Sequence, residues 1–262
     1  MSSLSKEQIE ELAEYLETSE LECKDAVKVT DRYPEMDFED AYDVQYAIKQ
    51  RKLKRGTKIV GMKVGLTSRA KMKQMGVESP IYGFLADYFD RPVGGEIEMD
   101  QLIHPKVEAE LAFVTKKVLR GPCHIGDVLA ATDFVMPAVE IIDSRYENFR
   151  FDLVSVIADN SSSSRFVLGG QCAEPDGLDL TTLGVVLEKN GEIIDLGAGA
   201  AVLGHPAASV ALLANMLAER DEEIPAGSTI LTGGITAAVA VEKGDNVNVR
   251  FQGLGSVGMR FV

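Results

Sequence analysis

The stretch His104-Pro-Lys-Val-Glu-Ala-Glu-Leu-Ala-Phe-Val114 alternates with a period of two. Val107, Ala109, Leu111 and Phe113 fall on one side of such a strand, and Glu108, Glu110 and Ala112 on the other. That is the pattern of a strand with one face in a core. Carboxylates at i and i+2 stand roughly 7 Å apart, which suits two ligands of one ion or two walls of one pocket. By spacing alone they also suit a solvated strand face.

Downstream, Val135-Met-Pro-Ala-Val-Glu-Ile-Ile142 holds a lone Glu140 in an apolar run. An ionised carboxylate in that setting is costly unless it pairs with an Arg or Lys or binds a metal. If Glu108, Glu110 and Glu140 converge, their all-oxygen ligand set favours Mg²⁺ or Mn²⁺ over Zn²⁺ and leaves positions for substrate and water.

Upstream, Lys58-Ile-Val-Gly-Met-Lys-Val-Gly-Leu-Thr-Ser68 puts Lys63 between Met62 and Val64. A lysine there needs a counter-charge or a polar cavity. Beside carboxylates it can hold a substrate carboxylate or move a proton; at a strand end it can equally snorkel to water. Asp159-Asn-Ser-Ser-Ser-Ser-Arg165 offers hydroxyls and a guanidinium, fit for a carboxylate or for a surface loop. Thr232-Gly-Gly-Ile-Thr236 offers backbone N–H groups to an anion. Neither a Walker A nor a dinucleotide-binding glycine pattern is present. His205, before Pro206, reads as a helix-start residue.

Around these runs the organisation is α+β. Residues 1–56 are expected to form an N-terminal helical subdomain and residues 57–262 a β-rich catalytic core. Ser5-Lys-Glu-Gln8 fits a capping box ahead of Ile9, Leu12, Ala13 and Leu16. Tyr33-Pro34-Glu35-Met36 reads as a turn, Asp37 caps a second helix, and Gly56 stops it. Short β-like runs follow at Lys58–Val64, Val107–Val114, Val135–Ile142, Phe166–Leu168, Gly184–Lys189, Ser228–Leu231 and Val247–Phe251, with one further helix over Pro206–Glu219.

Composition narrows the function classes. With 45% apolar and 26% charged residues in 262, the chain can bury a large core. A net charge of −14 without a basic stripe argues against nucleic acid as a partner. Cys23, Cys123 and Cys172 form no C-x-x-C and no even framework, which points to a reducing compartment. The opening Met1-Ser-Ser-Leu-Ser-Lys lacks a signal-peptide pattern. The apolar stretch Ala198–Leu217 is interrupted by His205, Pro206 and Asn215, so it reads as two short elements and not as a membrane span. A soluble, cytoplasmic protein is expected.

Taken together, Gly61-Met-Lys-Val-Gly-Leu-Thr-Ser68, His104 to Phe113, Ala138-Val-Glu-Ile-Ile-Asp-Ser-Arg145 and Leu254-Gly-Ser-Val257 resemble the hydratase/decarboxylase branch of the fumarylacetoacetate hydrolase superfamily. The resemblance runs from about residue 5 to the C-terminus. It implies a mixed β-roll core carrying an N-terminal helical portion, and Mg²⁺ or Mn²⁺ held by Glu108, Glu110 and Glu140. It also implies a role for Lys63 at the substrate, with Asp159, Asn160 and Ser161 nearby and Gly233 to Thr236, including Gly234, along the substrate's carboxylate end.

The substrate implied is a small 2-oxo dicarboxylic acid of aromatic meta-cleavage catabolism, with Arg165 a candidate for steering the dianion. A homo-oligomer and a complex with the pathway hydratase are implied as well. Hydratases of the branch carry an acid before an aromatic-glycine pair; in Ser79-Pro-Ile-Tyr-Gly83 that position is Ile81. Isoleucine cannot move a proton at the distal carbon, whereas an apolar surround helps to expel CO₂. The expectation is therefore decarboxylation of 2-oxohex-3-enedioate. Hydration of 2-hydroxypenta-2,4-dienoate is the alternative, ahead of a scaffolding subunit or an acylpyruvate hydrolase.

Overall fold

In the computed structural model, which describes residues 3–68, 72 and 80–262, the first helix, α1 (Lys6–Glu22), opens on a reciprocal cap. Ser5 Oγ accepts from the Gln8 N–H while the Gln8 side chain accepts from the Ser5 N–H. A four-residue helix, α2 (Val29–Arg32), precedes α3 (Phe38–Lys54), which Asp37 and Asp40 cap in the same reciprocal way. Gly56, at φ +89°, ends it.

The apolar faces of these helices do not close on each other alone. Leu12, Leu16, Val44 and Ile48 share one cluster with Ile81, Phe84, Tyr146 and Val156 of the following segment. Lys52, fully buried, donates to Glu20 Oε2 at 2.7 Å and to the Tyr88 hydroxyl at 2.6 Å, tying α3 to both neighbours through a satisfied charge.

The remaining elements are β1 (Ile59–Gly65), β2 (Ile81–Ala86), β3 (Asp90–Arg91), β4 (Glu96–Ile97), β5 (Pro105–Thr115), α4 (Ile125–Ala131), β6 (Thr132–Asp143), α5 (Leu153–Ala158), β7 (Ser163–Leu168), β8 (Gly184–Lys189), β9 (Glu192–Ala198), α6 (Pro206–Ala218), β10 (Thr229–Leu231), β11 (Val239–Ala240), β12 (Asn246–Phe251) and β13 (Gly255–Phe261). They form two mixed sheets. One runs β2-β1-β10-β5-β6-β7-β3 with β11 on β5, and the other β4-β13-β12-β8-β9. The β1–β10, β3–β7 and β4–β13 pairs are parallel.

Val107, Ala109, Leu111 and Phe113, the apolar side of β5, pack into one core with Val185, Leu187, Val249, Val257 and Phe261 of the second sheet. The opposite side of β5 therefore faces the concave side of its own sheet. The apolar run Gly199–Ala218 is long and apolar enough by composition to cross a membrane. Its α-helix, however, is the 13-residue α6, about 20 Å long against the roughly 30 Å of a bilayer core. Val210, Leu213, Ala214 and Leu217 of that helix lie in the protein core.

Candidate metal centre

The β5–β6 register sets Glu108 opposite Glu140 and Glu110 opposite Ala138, so the three carboxylates share one face. One oxygen from each lies within 4.8 Å of the others. Lys63 arrives from β1, separated from β6 by β10 and β5. Three strand spacings are about 14 Å on a flat sheet, yet Lys63 Nζ is 3.1 Å from Glu140 Oε2. The sheet must curl to bring them together, and the three-residue β10 leaves room for it.

Glu110 and Glu140 have no exposed surface, and Glu108 is 9% exposed. Burial pushes the Glu110 carboxyl well up, reinforced by the charges of Glu140 and Glu108 and opposed by Lys63 and the Gly233 N–H. Burial likewise raises Glu140, with Lys63 pulling against it. Burial disfavours a charged Lys63, but Glu140, Glu110 and Glu108 outweigh it and hold the ammonium above the ordinary lysine range.

The group fits a divalent ion. Glu110 Oε2 accepts from the Gly233 N–H at 2.7 Å, but among the described residues Glu110 Oε1 has no hydrogen-bond partner, and the Glu140 carboxylate meets Lys63 Nζ at 3.1 Å as an ion pair. Three carboxylates facing one lysine among the described residues favour a further cation, and buried carboxylate oxygens are the ligands a hard cation takes. Gly234 lies over this cluster: a Cβ there would sit 3.0 Å from the Glu108 carboxyl.

A cavity of about 100 Å³ opens from the cluster. Lys63, Glu108, Gly234 and Ser161 line its inner part, and Ile81, Ile142, Phe149, Phe151 and Val156 supply an apolar wall. Ser161 belongs to a turn of three consecutive left-handed residues, Asn160, Ser161 and Ser162, at φ 49°, 53° and 56°. The Ser161 carbonyl accepts from Lys63 Nζ at 3.1 Å, and its hydroxyl donates to the Tyr82 carbonyl at 2.7 Å. The Asn160 amide grips Phe84, accepting from its N–H at 2.8 Å and donating to its carbonyl at 3.0 Å. Only glycine fits beneath that grip, because a Cβ on Gly83 would lie 2.6 Å from the Asn160 carbonyl oxygen.

The other residues singled out in the sequence stand outside the cavity lining. Asp159 is turned to Arg145, which donates from Nε to its carboxylate and from Nη2 to its carbonyl. Burial raises the Asp159 carboxyl to about 7 even against that pull. Arg165 is buried with its guanidinium 5.8 Å from the Tyr88 and Phe89 rings and bonds only to Ser164 among the described residues. Thr236 Oγ1 accepts from the Ala109 N–H at 3.3 Å, fastening its loop to β5. His205 caps α6, Nδ1 accepting from Ala207. Of the run Ser79 to Gly83, Ser79 lies outside the described residues.

Sequence reasoning did not single out Arg145, Ser162, Phe149 or Phe151. Arg145 carried a signal, since an arginine two residues past Asp143 in an apolar strand needs a partner. Phe149 and Phe151 carried none, because aromatic residues in a loop fit any surface hollow.

The chain is similar to known proteins along its whole length. The family model described as fumarylacetoacetate (FAA) hydrolase C-terminal matches residues 91–262. Over 261 residues the chain is 66% identical to a 4-oxalocrotonate decarboxylase of Pseudomonas sp. (strain CF600), covering 99% of each chain. It is 39% identical over 258 residues to a 2-oxo-hept-4-ene-1,7-dioate hydratase of Escherichia coli, covering 96% of this chain and 97% of that one. The solved structure of 4-oxalocrotonate decarboxylase from Pseudomonas putida G7, complexed with magnesium and adipate, superposes with a TM-score of 0.98 at 63% identity over all of both chains.

Proposed function

Because the chain belongs to the fumarylacetoacetate hydrolase family, we propose that it is a divalent-metal-dependent carboxy-lyase. It converts 2-oxohex-3-enedioate (4-oxalocrotonate) to 2-hydroxypenta-2,4-dienoate and CO₂ in aromatic catabolism. The observation that carries this reading is a buried cluster of Glu108, Glu110, Glu140 and Lys63 at one end of a cavity whose other wall is apolar.

A Mg²⁺ or Mn²⁺ ion held by Glu108, Glu110 and Glu140 would supply a Lewis acid at the 2-oxo acid end of the substrate. Lys63 keeps a positive charge 3.1 Å from Glu140, where the C1–C2 end has to lie. Ser162 lines the cavity with a buried hydroxyl that has no hydrogen-bond partner among the described residues, a donor for a substrate oxygen. Ile81, Ile142, Phe149, Phe151 and Val156 surround the distal carboxylate with apolar surface, disfavouring its ionised form and excluding water. As the C5–C6 bond breaks, CO₂ leaves and the electron pair runs through the conjugated chain to the C2 oxygen. Protonation of the resulting dienolate gives the dienol product.

The hydratase reading requires a proton carrier at the distal carbon, and Ile81 provides none. Purified protein with Mg²⁺ is expected to release CO₂ from 2-oxohex-3-enedioate and to stop when EDTA is added. Conversion of 2-hydroxypenta-2,4-dienoate to 4-hydroxy-2-oxopentanoate, with no CO₂ from the diacid, would replace the decarboxylase by the hydratase.

The free thiols of Cys23, Cys123 and Cys172 support a cytoplasmic location. The exposed Ile193, Ile194 and Leu196 on the edge strand β9 support a homo-oligomer. A complex with the pathway hydratase belongs to the same proposal.

A further inference from the structure

The geometry points to Lys106 as the residue that selects substrates bearing a second carboxylate, an inference that rests on the decarboxylase reading above. Lys106, Glu108 and Glu110 follow one another at every second residue of β5. The ladder to β6 is regular here, with Lys106 opposite Ile142 and Glu108 opposite Glu140. Lys106 therefore points to the same side as the glutamates, one step nearer the strand's start, about 7 Å along from Glu108. Ile142, its cross-strand partner, lines the cavity.

The Lys106 ammonium sits 3.8 Å from the centroid of the Phe149 ring, and Phe149 is part of the apolar wall. Among the described residues Lys106 forms no ion pair, so its charge is held against an aromatic face and not cancelled by a carboxylate. Asn148 and Phe149 are both left-handed, at φ 58° and 56°. Such backbone is uncommon outside glycine, and it sets the ring beneath the ammonium.

A dianion needs such a charge. Lys63 and Glu108 are the charged groups among the described residues lining the cavity, and both lie at its inner end. The protein as a whole carries −14. Lys106 adds positive potential at the outer end through the Phe149 ring, without a hydrogen bond that would anchor the departing carboxylate. A 2-oxo acid bound at the glutamates extends its far end about 6–7 Å, the spacing between Glu108 and Lys106. Lys106 thus favours binding of the diacid while the wall stays apolar.

The test titrates the Mg²⁺-loaded full chain by calorimetry with 2-oxohexanedioate, which is saturated and cannot send electrons from C5 to the ketone, and with 2-oxohexanoate, which lacks the far carboxylate. Lys106→Met is expected to weaken 2-oxohexanedioate about tenfold while 2-oxohexanoate holds to within about twofold. Lys106→Arg is expected to keep most of the preference, which should also shrink with added salt. Equal weakening of both ligands would make Lys106 a prop for Phe149 and overturn the inference, as would no change in either. A wild-type protein that shows the preference but releases no CO₂ from 2-oxohex-3-enedioate would overturn the decarboxylase reading and leave Lys106 standing.

Discussion

Glu110→Gln is expected to lower CO₂ release from 2-oxohex-3-enedioate by about 10³-fold or more, because Lewis-acid assistance is worth several kcal/mol and each 1.4 kcal/mol is a factor of ten. Glutamine keeps the shape of the side chain and can still accept from the Gly233 N–H at 2.7 Å. It removes the charge from a fully buried position where Glu108 and Glu140 already crowd it. The fold has no reason to suffer. Thermal denaturation in EDTA should show the variant about as stable as the wild type, since burial and the neighbouring carboxylates already favour an uncharged side chain at this position. Addition of Mg²⁺ should stabilise the wild type and leave the variant nearly unmoved. A Glu110→Gln protein with wild-type turnover at ordinary Mg²⁺ would mean that Glu110 is no ligand.

Arg145→Met is expected to cost about 3–5 kcal/mol of stability, the range for removing one member of a buried ion pair. The Arg145 guanidinium donates to the Asp159 carboxylate and carbonyl, to the Asp143 carbonyl at 2.8 Å and to the Ser163 carbonyl at 2.9 Å. It thereby braces both ends of the left-handed turn that carries Asn160 and Ser161. Without it, Asp159 is a buried carboxylate with no cation against it among the described residues. At the size of this chain the loss corresponds to a fall of roughly 10 °C in the melting midpoint.

The pH dependence has a definite sign. Asp159 has its folded value raised, to about 7 from 3.8, chiefly by burial. A carboxyl that holds its proton more tightly folded than unfolded contributes stability at low pH and loses it as pH rises from about 4 through about 7. Removing Arg145 should raise the folded value further and extend that loss to higher pH, and adding Asp159→Asn to Arg145→Met should abolish it. Denaturant melts across that pH range check both statements. A flat profile in the single variant would show that Asp159 is not buried as described.

Much of this centre was legible because its parts lie on strands. Period-two alternation put Glu108 and Glu110 on one side of β5, and the apolar run around Glu140 required a counter-charge. The helix caps at Ser5 and Asp37 and the start of α6 at Pro206 were equally plain, since each depends on residues within one turn. β2 was not legible as a strand: Ile81-Tyr-Gly-Phe-Leu-Ala86 is buried throughout and shows no alternation. β9 escaped because its apolar residues Ile193, Ile194 and Leu196 are exposed and do not alternate, and α4 and α5 because six or seven residues are too few for a helical period; β13 did alternate, with Val257, Met259 and Phe261 buried, and was not read as a strand.

The same division explains the placement of site residues. Asp159 was grouped with the substrate by the family resemblance, and Arg165 because it follows four serines as a guanidinium fit for a carboxylate. Their orientation depends on Arg145 and on the rings of Tyr88 and Phe89, which only the curled sheet brings near. The wall formed by Phe149 and Phe151 depends likewise on a loop packing over β6, which no local pattern encodes.

The central claim is that Glu108, Glu110 and Glu140 hold one hard divalent ion. Diffraction at the manganese absorption edge from crystals soaked in Mn²⁺ tests it most directly. A single anomalous peak about 2.0–2.3 Å from one oxygen of each glutamate, with positions open toward the cavity, is the result predicted. No peak there at saturating Mn²⁺, with the three carboxylates still gathered around Lys63, would contradict it.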